Sequence, residues 1–292
     1  MIKIARHLLL GGMIYLFLFP PCPVTARTSL WKIETENNSV FLLGSIHLLR
    51  QSDYPLQQEM EQAYNSAQVL VFETDLDSAD SPAAQSLFAA RGLLPAGTTL
   101  NEVLSDSMVN LIRLLTAQVE LEMQVIERFK PWAAAMILSL QKMNQLGIDP
   151  AFGLDRHFFE KAKKDGKSIL TFESLEFQIE LLNTLSEPDQ EQFLSHSFEE
   201  FAQLQQEMPR LIRAWRSGDE EEAADVLTAG FYGYPELYQR LIKSRNEEWM
   251  ARIESLLGGT DDVLVVVGLG HLVGEHGLVR QLRGGGVVVE QQ

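Results

Sequence analysis

Two short elements of the sequence place a histidine at the same distance after a glycine. Gly44-Ser45-Ile46-His47 and Gly268-Leu269-Gly270-His271 share the pattern Gly-x-x-His, and each follows a run of apolar residues. Such a run is typical of a buried strand, and glycine permits a sharp turn where the strand ends. Side chains at that position reach open space from a rigid backbone. The repetition predicts one site that contains both histidines; the alternative is two structural histidines at turns.

Glu73 stands at the end of a third apolar run, Gln68–Phe72. Two neutral imidazoles and one carboxylate can bind a divalent metal ion and activate a water molecule on it. His47, Glu73 and His271 are therefore the predicted metal ligands, provided that the fold brings them together. Without that convergence, Glu73 is an ordinary carboxylate at a strand end.

Arg245 lies on a predicted amphipathic helix, with Leu241 four residues before it and Trp249 four residues after it. This spacing places the guanidinium on or beside the buried stripe of the helix. A buried guanidinium needs partners, and we expect a bound anion or a carboxylate such as Glu73 or Glu173. Glu173 could equally cap the helix that follows it. The alternative for Arg245 is a stem that reaches from the edge of the stripe to solvent.

The elements that must position these residues come from both ends of the chain. Strands are predicted at Leu30–Thr35, Ser39–Leu43, Gln68–Phe72, Ser168–Phe172, Val263–Val267 and Val287–Glu290. Helices are predicted at Asp53–Ala67, Leu100–Leu121, Trp132–Leu146, Leu154–Lys164, Pro188–Arg216, Asp219–Thr228, Pro235–Leu257 and Glu275–Leu282. The predicted fold class is α+β, with a small mixed β-sheet formed by the N- and C-terminal parts of the chain and a large helical insertion at about residues 98–230.

The first 26 residues have the composition of an export signal. Basic residues precede an apolar run, Leu8–Phe19, and Val24-Thr25-Ala26 offers small residues for cleavage. The run is shorter than the roughly 20 residues that a membrane span needs. We expect a signal peptide at residues 1–26, a single mature domain at residues 27–292 and an exported protein, periplasmic or extracellular, without a stable membrane span after cleavage. An uncleaved anchor is the alternative.

The composition narrows the chemistry and the partners. The single cysteine, Cys22, lies in the predicted signal, so the mature chain would have neither disulfides nor thiolate chemistry. A formal net charge of −16 disfavours nucleic acid and anionic lipid as partners. The partner that we expect is a peptide or a small-molecule substrate.

Taken together, these residues resemble the TraB/GumN family (TraB/PrgY/GumN/Tiki-like), which includes the Tiki-type membrane-anchored proteases. The resemblance covers about Ser29–Val289 and rests on Leu43–His47, Val71–Thr74, Gly97–Leu100, Gly153–Asp155, Glu173–Gln178, Arg245-Asn246 and Val267–Gly274. It implies an active-site set of His47, Glu73, Arg245 and His271. It also implies the metal-dependent proteolysis of the Tiki-type members, which use manganese or cobalt.

The function predicted first is an exported metal-dependent hydrolase, with a peptide as the first candidate substrate. His47 and His271 would contact the divalent metal, which is manganese, cobalt or zinc, and Glu73 would ligate it or act as general base. Arg245 would orient a carboxylate or stabilise developing negative charge. Two alternatives stay open: a non-enzymatic module that binds haem or a small ligand through histidine, and an accessory protein in exopolysaccharide production.

Overall fold

The computed structural model describes residues 27–292 except residues 48, 80 and 149, and it leaves the side chains of residues 201, 202, 204 and 205 undescribed. The predicted export signal therefore lies outside the described residues. The α+β fold class is confirmed, because six strands form one mixed sheet among numerous helices. The strands are β1 (Leu30–Glu34), β2 (Ser39–Ser45), β3 (Val69–Phe72), β4 (Ser168–Thr171), β5 (Val263–Gly268) and β6 (Glu290–Gln291).

The strand order is β4-β3-β5-β2-β1-β6. β1 and β2 form an antiparallel hairpin, and β6 adds to β1 in antiparallel orientation. β2, β5, β3 and β4 are mutually parallel, and Val263 of β5 is in register with both Val40 and Val69. The first five residues of β5 are buried, as expected for a central parallel strand covered on both faces. The carboxyl ends of these four parallel strands meet at one edge, where ligands bind in open α/β sheets.

The helices cover the sheet and build a separate helical region. Their bounds are α1 Gln58–Ser66, α2 Leu76–Ala79, α3 Pro82–Gly92, α4 Leu100–Val103, α5 Asp106–Gln118, α6 Met123–Ile126, α7 Pro131–Gln145, α8 Leu154–Asp165, α9 Leu175–Asn183, α10 Glu187–Ser217, α11 Glu220–Ala229, α12 Pro235–Tyr238, α13 Ser244–Leu257, α14 Leu269–Leu272 and α15 Leu278–Gly284. In the described part of the chain, no helix combines the length and the apolar character that a membrane crossing requires.

The prediction of one helix at Leu100–Leu121 is wrong, because the helix is interrupted between α4 and α5. The hydroxyl oxygen of Ser105 accepts a hydrogen bond from the Met108 N–H and caps a new helix there. Around this break, helices α4 to α7 and the start of α10 enclose an apolar core of their own, with Ile112 and Leu138 fully buried. The region at about 98–230 is nevertheless not purely helical, because it contains β4, which pairs with β3 in the sheet.

A π-helical turn, Gln239–Lys243, interrupts the helix predicted at Pro235–Leu257. The N–H of Ser244 donates to the carbonyl of Gln239, five residues back, instead of four. The extra residue in this turn changes which side chains of α13 face the sheet. Arg245 and Asn246, the second and third residues of α13, are both buried.

Candidate functional site

The sheet brings the two histidines and Glu73 to one place. His47 follows β2, Glu73 follows β3, and His271 lies on α14 directly after β5. A Cβ atom built on Gly268 would lie 3.2 Å from Glu73 Oε1, 3.4 Å from His47 Nε2 and 3.8 Å from His271 Cδ2. The three side chains therefore surround the space that a side chain at position 268 would fill, which we call the central space.

The Arg245 guanidinium joins three of the site's side chains. Nη2 donates to Glu73 Oε2 at 2.7 Å, and Nε and Nη2 each donate to one oxygen of Glu173 at 2.8 Å. Nη1 lies 3.0 Å from His271 Nε2 and 3.0 Å from the carbonyl of Leu241, which belongs to the π turn. Arg245 is only 8% exposed, so the prediction of a buried arginine paired with carboxylates is confirmed. All five N–H groups have an acceptor, so Arg245 acts on its neighbours and leaves no donor for a substrate.

Glu173 is the deepest carboxylate of the site. Its side chain is 3% exposed and also accepts hydrogen bonds from Trp249 Nε1 at 2.9 Å and Gln178 Nε2 at 3.2 Å. The alternative that Glu173 caps the following helix is wrong, because Ser174 does so by accepting from the Phe177 N–H at 3.1 Å. Glu173 instead fixes the orientation of the Arg245 guanidinium through a paired, two-point contact.

His271 is held as a neutral imidazole. Asn246 donates its side-chain N–H groups to the carbonyls of His271 and His276, so its Oδ1 accepts from His271 Nδ1 at 2.7 Å. The proton on Nδ1 leaves Nε2 as the acceptor for Arg245. Burial, reinforced by the Arg245 charge, lowers the pKa of His271 to about 3 against the attraction of Glu73.

His47 is held in the opposite charge state. Its ring is 54% exposed, and its Nδ1 lies 2.9 Å from Asp155 Oδ2. Desolvation opposes the charged form, but Asp155 and, more weakly, Glu73 raise the pKa of His47 to about 9. The ring is therefore an imidazolium at neutral pH, with Nε2 at the central space.

Glu73 is held as a carboxylate. Its Oε1 accepts from the backbone N–H of Gly268 at 2.7 Å, and its Oε2 accepts from Arg245. Burial alone would raise its pKa, but His271, Arg245 and His47 outweigh burial and lower the pKa of Glu73 to about 2. Glu73 is therefore ionised at any pH at which the protein would work.

The central space has two donors that suit a divalent cation. His47 Nε2 and Glu73 Oε1 face it. His271 instead presents its Cδ2 atom to the space, and its unprotonated nitrogen, Nε2, accepts a hydrogen bond from Arg245. In the described part of the chain, no group of three or more His, Cys, Asp or Glu side chains is arranged to hold a metal ion. The donors present fit a cation that completes its coordination with water and substrate, as hard divalent ions do. Ligation by His271 stays a prediction, and it requires Arg245 to release Nε2.

Asp155 and Asn246 are the residues whose roles the sequence did not reveal. Asp155 belongs to Gly153–Asp155, one of the segments that carry the family resemblance, but acidic residues are common in the first turn of a helix for helix-dipole reasons alone, so its residue type indicated no role in the site. Asn246 was recognisable as a polar residue on a buried stripe, and it is completely buried. Their histidine partners are 108 and 25 residues away, and only the folded chain pairs them.

A cavity of about 730 Å³ lies away from these residues. Arg27, Gly218, Asp219, Arg283 and Gln291 are among its lining residues. It contains none of the four predicted site residues, and its lining holds no histidine. The concentration of paired charges at the central space makes that space the better candidate for chemistry.

Comparison with known proteins places the chain in a family of related sequences. The model of the TraB/PrgY/gumN family matches residues 29–291. The chain is 26% identical over 252 residues to "Uncharacterized protein YbaP" of Escherichia coli (strain K12), and the match covers 85% of this chain and 89% of the relative. The protein of the same name from Shigella flexneri matches with the same identity and coverage. No solved structure matches the chain.

Proposed function

The chain belongs to the TraB/PrgY/gumN family, and from that premise we propose that it is a metal-dependent hydrolase exported from the cytoplasm. The observation that carries the proposal is the convergence of His47 Nε2 and Glu73 Oε1 on the central space over Gly268. A hydrolase needs a polarised water molecule beside a substrate carbonyl. The central space is the place where the described side chains could hold both.

The charges of the site favour a bound cation. Glu73, Glu173 and Asp155 supply three carboxylates, whereas Arg245 supplies one permanent positive charge. Against burial, Asp155 and, more weakly, Glu73 raise the pKa of His47, so a proton on His47 offsets part of their negative charge. A divalent cation at the same place would supply positive charge instead of the proton.

The low pKa of Glu73 supports one of its two predicted roles over the other. A carboxylate with a pKa of about 2 is a weak proton acceptor at neutral pH, so it suits ligation better than general-base catalysis. A site with one carboxylate, one imidazole and water ligands suits Mn²⁺. Structural zinc sites, in contrast, are typically closed by four protein ligands. Manganese is therefore the first metal to test, with cobalt and zinc next.

When bound, the cation would polarise a substrate carbonyl and lower the pKa of a bound water. The chain's own residues prepare this place. Gly268 N–H and Arg245 hold Glu73 in one orientation, and Asp155 holds His47. The half-exposed ring of His47 forms the side of the site that a substrate reaches from solvent. We propose a peptide as the first substrate class to test.

The test is a calorimetric titration of the protein with Mn²⁺, Co²⁺ and Zn²⁺, followed by digestion of a broad peptide library with the metal that binds. We expect metal binding and cleavage by the unaltered protein and the loss of both in His47→Ala. His276→Ala is the matched control, because that partly exposed ring contacts Tyr238 outside the central space. A protein that binds none of the three ions and cleaves no peptide would overturn the proposal. Haem or small-ligand binding and the exopolysaccharide role stay predictions.

A further inference from the structure

The two histidines of the site are held through the same ring atom by different chemical groups. His47 Nδ1 faces the carboxylate of Asp155 at 2.9 Å, and His271 Nδ1 faces the amide oxygen of Asn246 at 2.7 Å. In each ring the contact requires a proton on Nδ1, so the lone pair of the neutral ring lies on Nε2. Only for His47 does this lone pair face the central space.

Asp155 is itself fixed from several sides. The Ser45 hydroxyl donates to Asp155 Oδ1 at 3.3 Å and accepts from the Asp155 backbone N–H at 3.2 Å. The backbone N–H of Leu154 donates to the carbonyl of Ile46 at 3.1 Å, so the start of α8 is joined to the chain that carries His47. The two segments approach so closely at Gly153 that a Cβ there would lie 2.8 Å from the His47 carbonyl oxygen. In this arrangement Ser45 holds Asp155 Oδ1 while Asp155 Oδ2 faces the His47 ring.

We propose that Asp155 is the positioning residue of the site: it holds the His47 ring with its proton on Nδ1, so that the Nε2 lone pair is presented to a divalent cation at Glu73. This inference rests on the proposed function for the identity of the ligand. Carboxylates that receive the second N–H of a metal-binding histidine fix its tautomer and raise its basicity, and their loss weakens metal binding about 10–100-fold. Ser45 assists by holding Asp155.

The competing explanation is structural. An acidic residue in the first turn of a helix stabilises that helix through the helix dipole, with no need of a histidine. Asp106 provides the comparison, because it is an exposed acidic residue in the first turn of α5 and lies outside the site. Asp106→Asn and Asp155→Asn both remove a negative charge from the first turn of a helix. Only Asp155→Asn also removes a contact with a histidine, so a difference between the two variants would indicate a positioning role.

The experiment compares the unaltered protein, Asp155→Asn and Asp106→Asn by two measurements. Calorimetric titration with Mn²⁺ gives the affinity, and ¹⁵N NMR of the histidine rings, recorded as a pH titration that reaches the neutral form of His47, gives the tautomer. We expect Asp155→Asn to bind Mn²⁺ about 10–100-fold more weakly and to shift the His47 proton from Nδ1 toward Nε2, because an amide can donate where the carboxylate only accepts. Asp106→Asn should match the unaltered protein in both.

The outcomes separate the two proposals. If Asp155→Asn keeps the Mn²⁺ affinity within twofold and the same tautomer, the positioning role is overturned while the hydrolase proposal stands. If the unaltered protein binds no metal but the tautomer shifts in Asp155→Asn, the metal proposal fails and the positioning role stands. Should Asp155→Asn not fold, Ser45→Ala replaces it, with a smaller loss of affinity expected in the same direction.

Discussion

Arg245→Met tests the buried charge network at its centre. The substitution keeps an unbranched apolar stem but removes the guanidinium that Glu73 and Glu173 share. Those carboxylates have side-chain exposures of 15% and 3%, so water could not replace the lost contacts. Removing one partner of a buried charge pair costs about 3–5 kcal/mol. We expect the free energy of unfolding to fall by about that amount at pH 7.

Arg252→Met is the matched control on the same helix. Arg252 is exposed, and its guanidinium donates to the backbone carbonyls of Thr171 and Phe172, which carry no charge. Loss of those hydrogen bonds costs about 0.5–1.5 kcal/mol. The comparison therefore separates the loss of a buried ion pair from the loss of any arginine on α13.

The assay is urea denaturation with the midpoint and the slope determined for each variant. Glu173→Gln and the double variant with Arg245→Met complete a cycle, in which we expect a coupling energy of about 0.5–3 kcal/mol. A loss in Arg245→Met no larger than that in Arg252→Met would refute the reasoning. Strict additivity of the two single substitutions would also refute it, because it would mean that the pair observed here does not contribute to stability.

Three further predictions concern the central space and the two histidines. Gly268→Ala would place a methyl group 3.2 Å from Glu73 Oε1, so we expect weaker Mn²⁺ binding by calorimetry. Gly270→Ala should leave the binding unchanged, because its methyl group would only make an ordinary contact with Ile242 Cδ1 at 3.9 Å. The pKa of His271 in the folded protein, about 3, is below its ordinary value of 6.5, so as the pH falls the unfolded chain is protonated at this residue before the folded protein is. The free energy of unfolding should therefore decrease as the pH falls below 6.5, by up to about 1.4 kcal/mol per pH unit. Urea titrations between pH 6.5 and 4.5 should show this slope, and its persistence in His271→Gln would contradict the assignment. The pKa of His47, about 9, is above 6.5, so stability should fall as pH rises from 6.5 to 9 and should do so less in His47→Gln.

The sequence predicted the strand-end residues of the site because their signal is local. An apolar run followed by glycine and histidine, or by glutamate, specifies both a buried strand and a side chain at its end. His47, Glu73 and His271 are indeed brought together by parallel strands. The same reasoning placed Arg245 on a buried stripe and named its carboxylate partners, because a buried guanidinium has few other solutions.

What the sequence did not predict depends on contacts between distant segments. The spacing of apolar residues in a helix does not reveal the extra residue of the π turn. This turn precedes Arg245 and contains Leu241, whose carbonyl accepts a hydrogen bond from the guanidinium. The tautomers of the histidines depend on Asp155 and Asn246, whose types are common on any helix. The occupation of His271 Nε2 by Arg245 likewise follows from side-chain geometry, and it changes which nitrogen is free to meet a ligand.

The place of β5 in the sheet has a consequence for when the site can exist. β5 lies between β3 and β2, although it is made almost two hundred residues after β3. During synthesis the segments that carry His47 and Glu73 are made long before β5, the strand that lies between β2 and β3 and aligns them. A nascent chain therefore carries half a site for most of its elongation. The site is complete only after Gly268 and His271 have been synthesised.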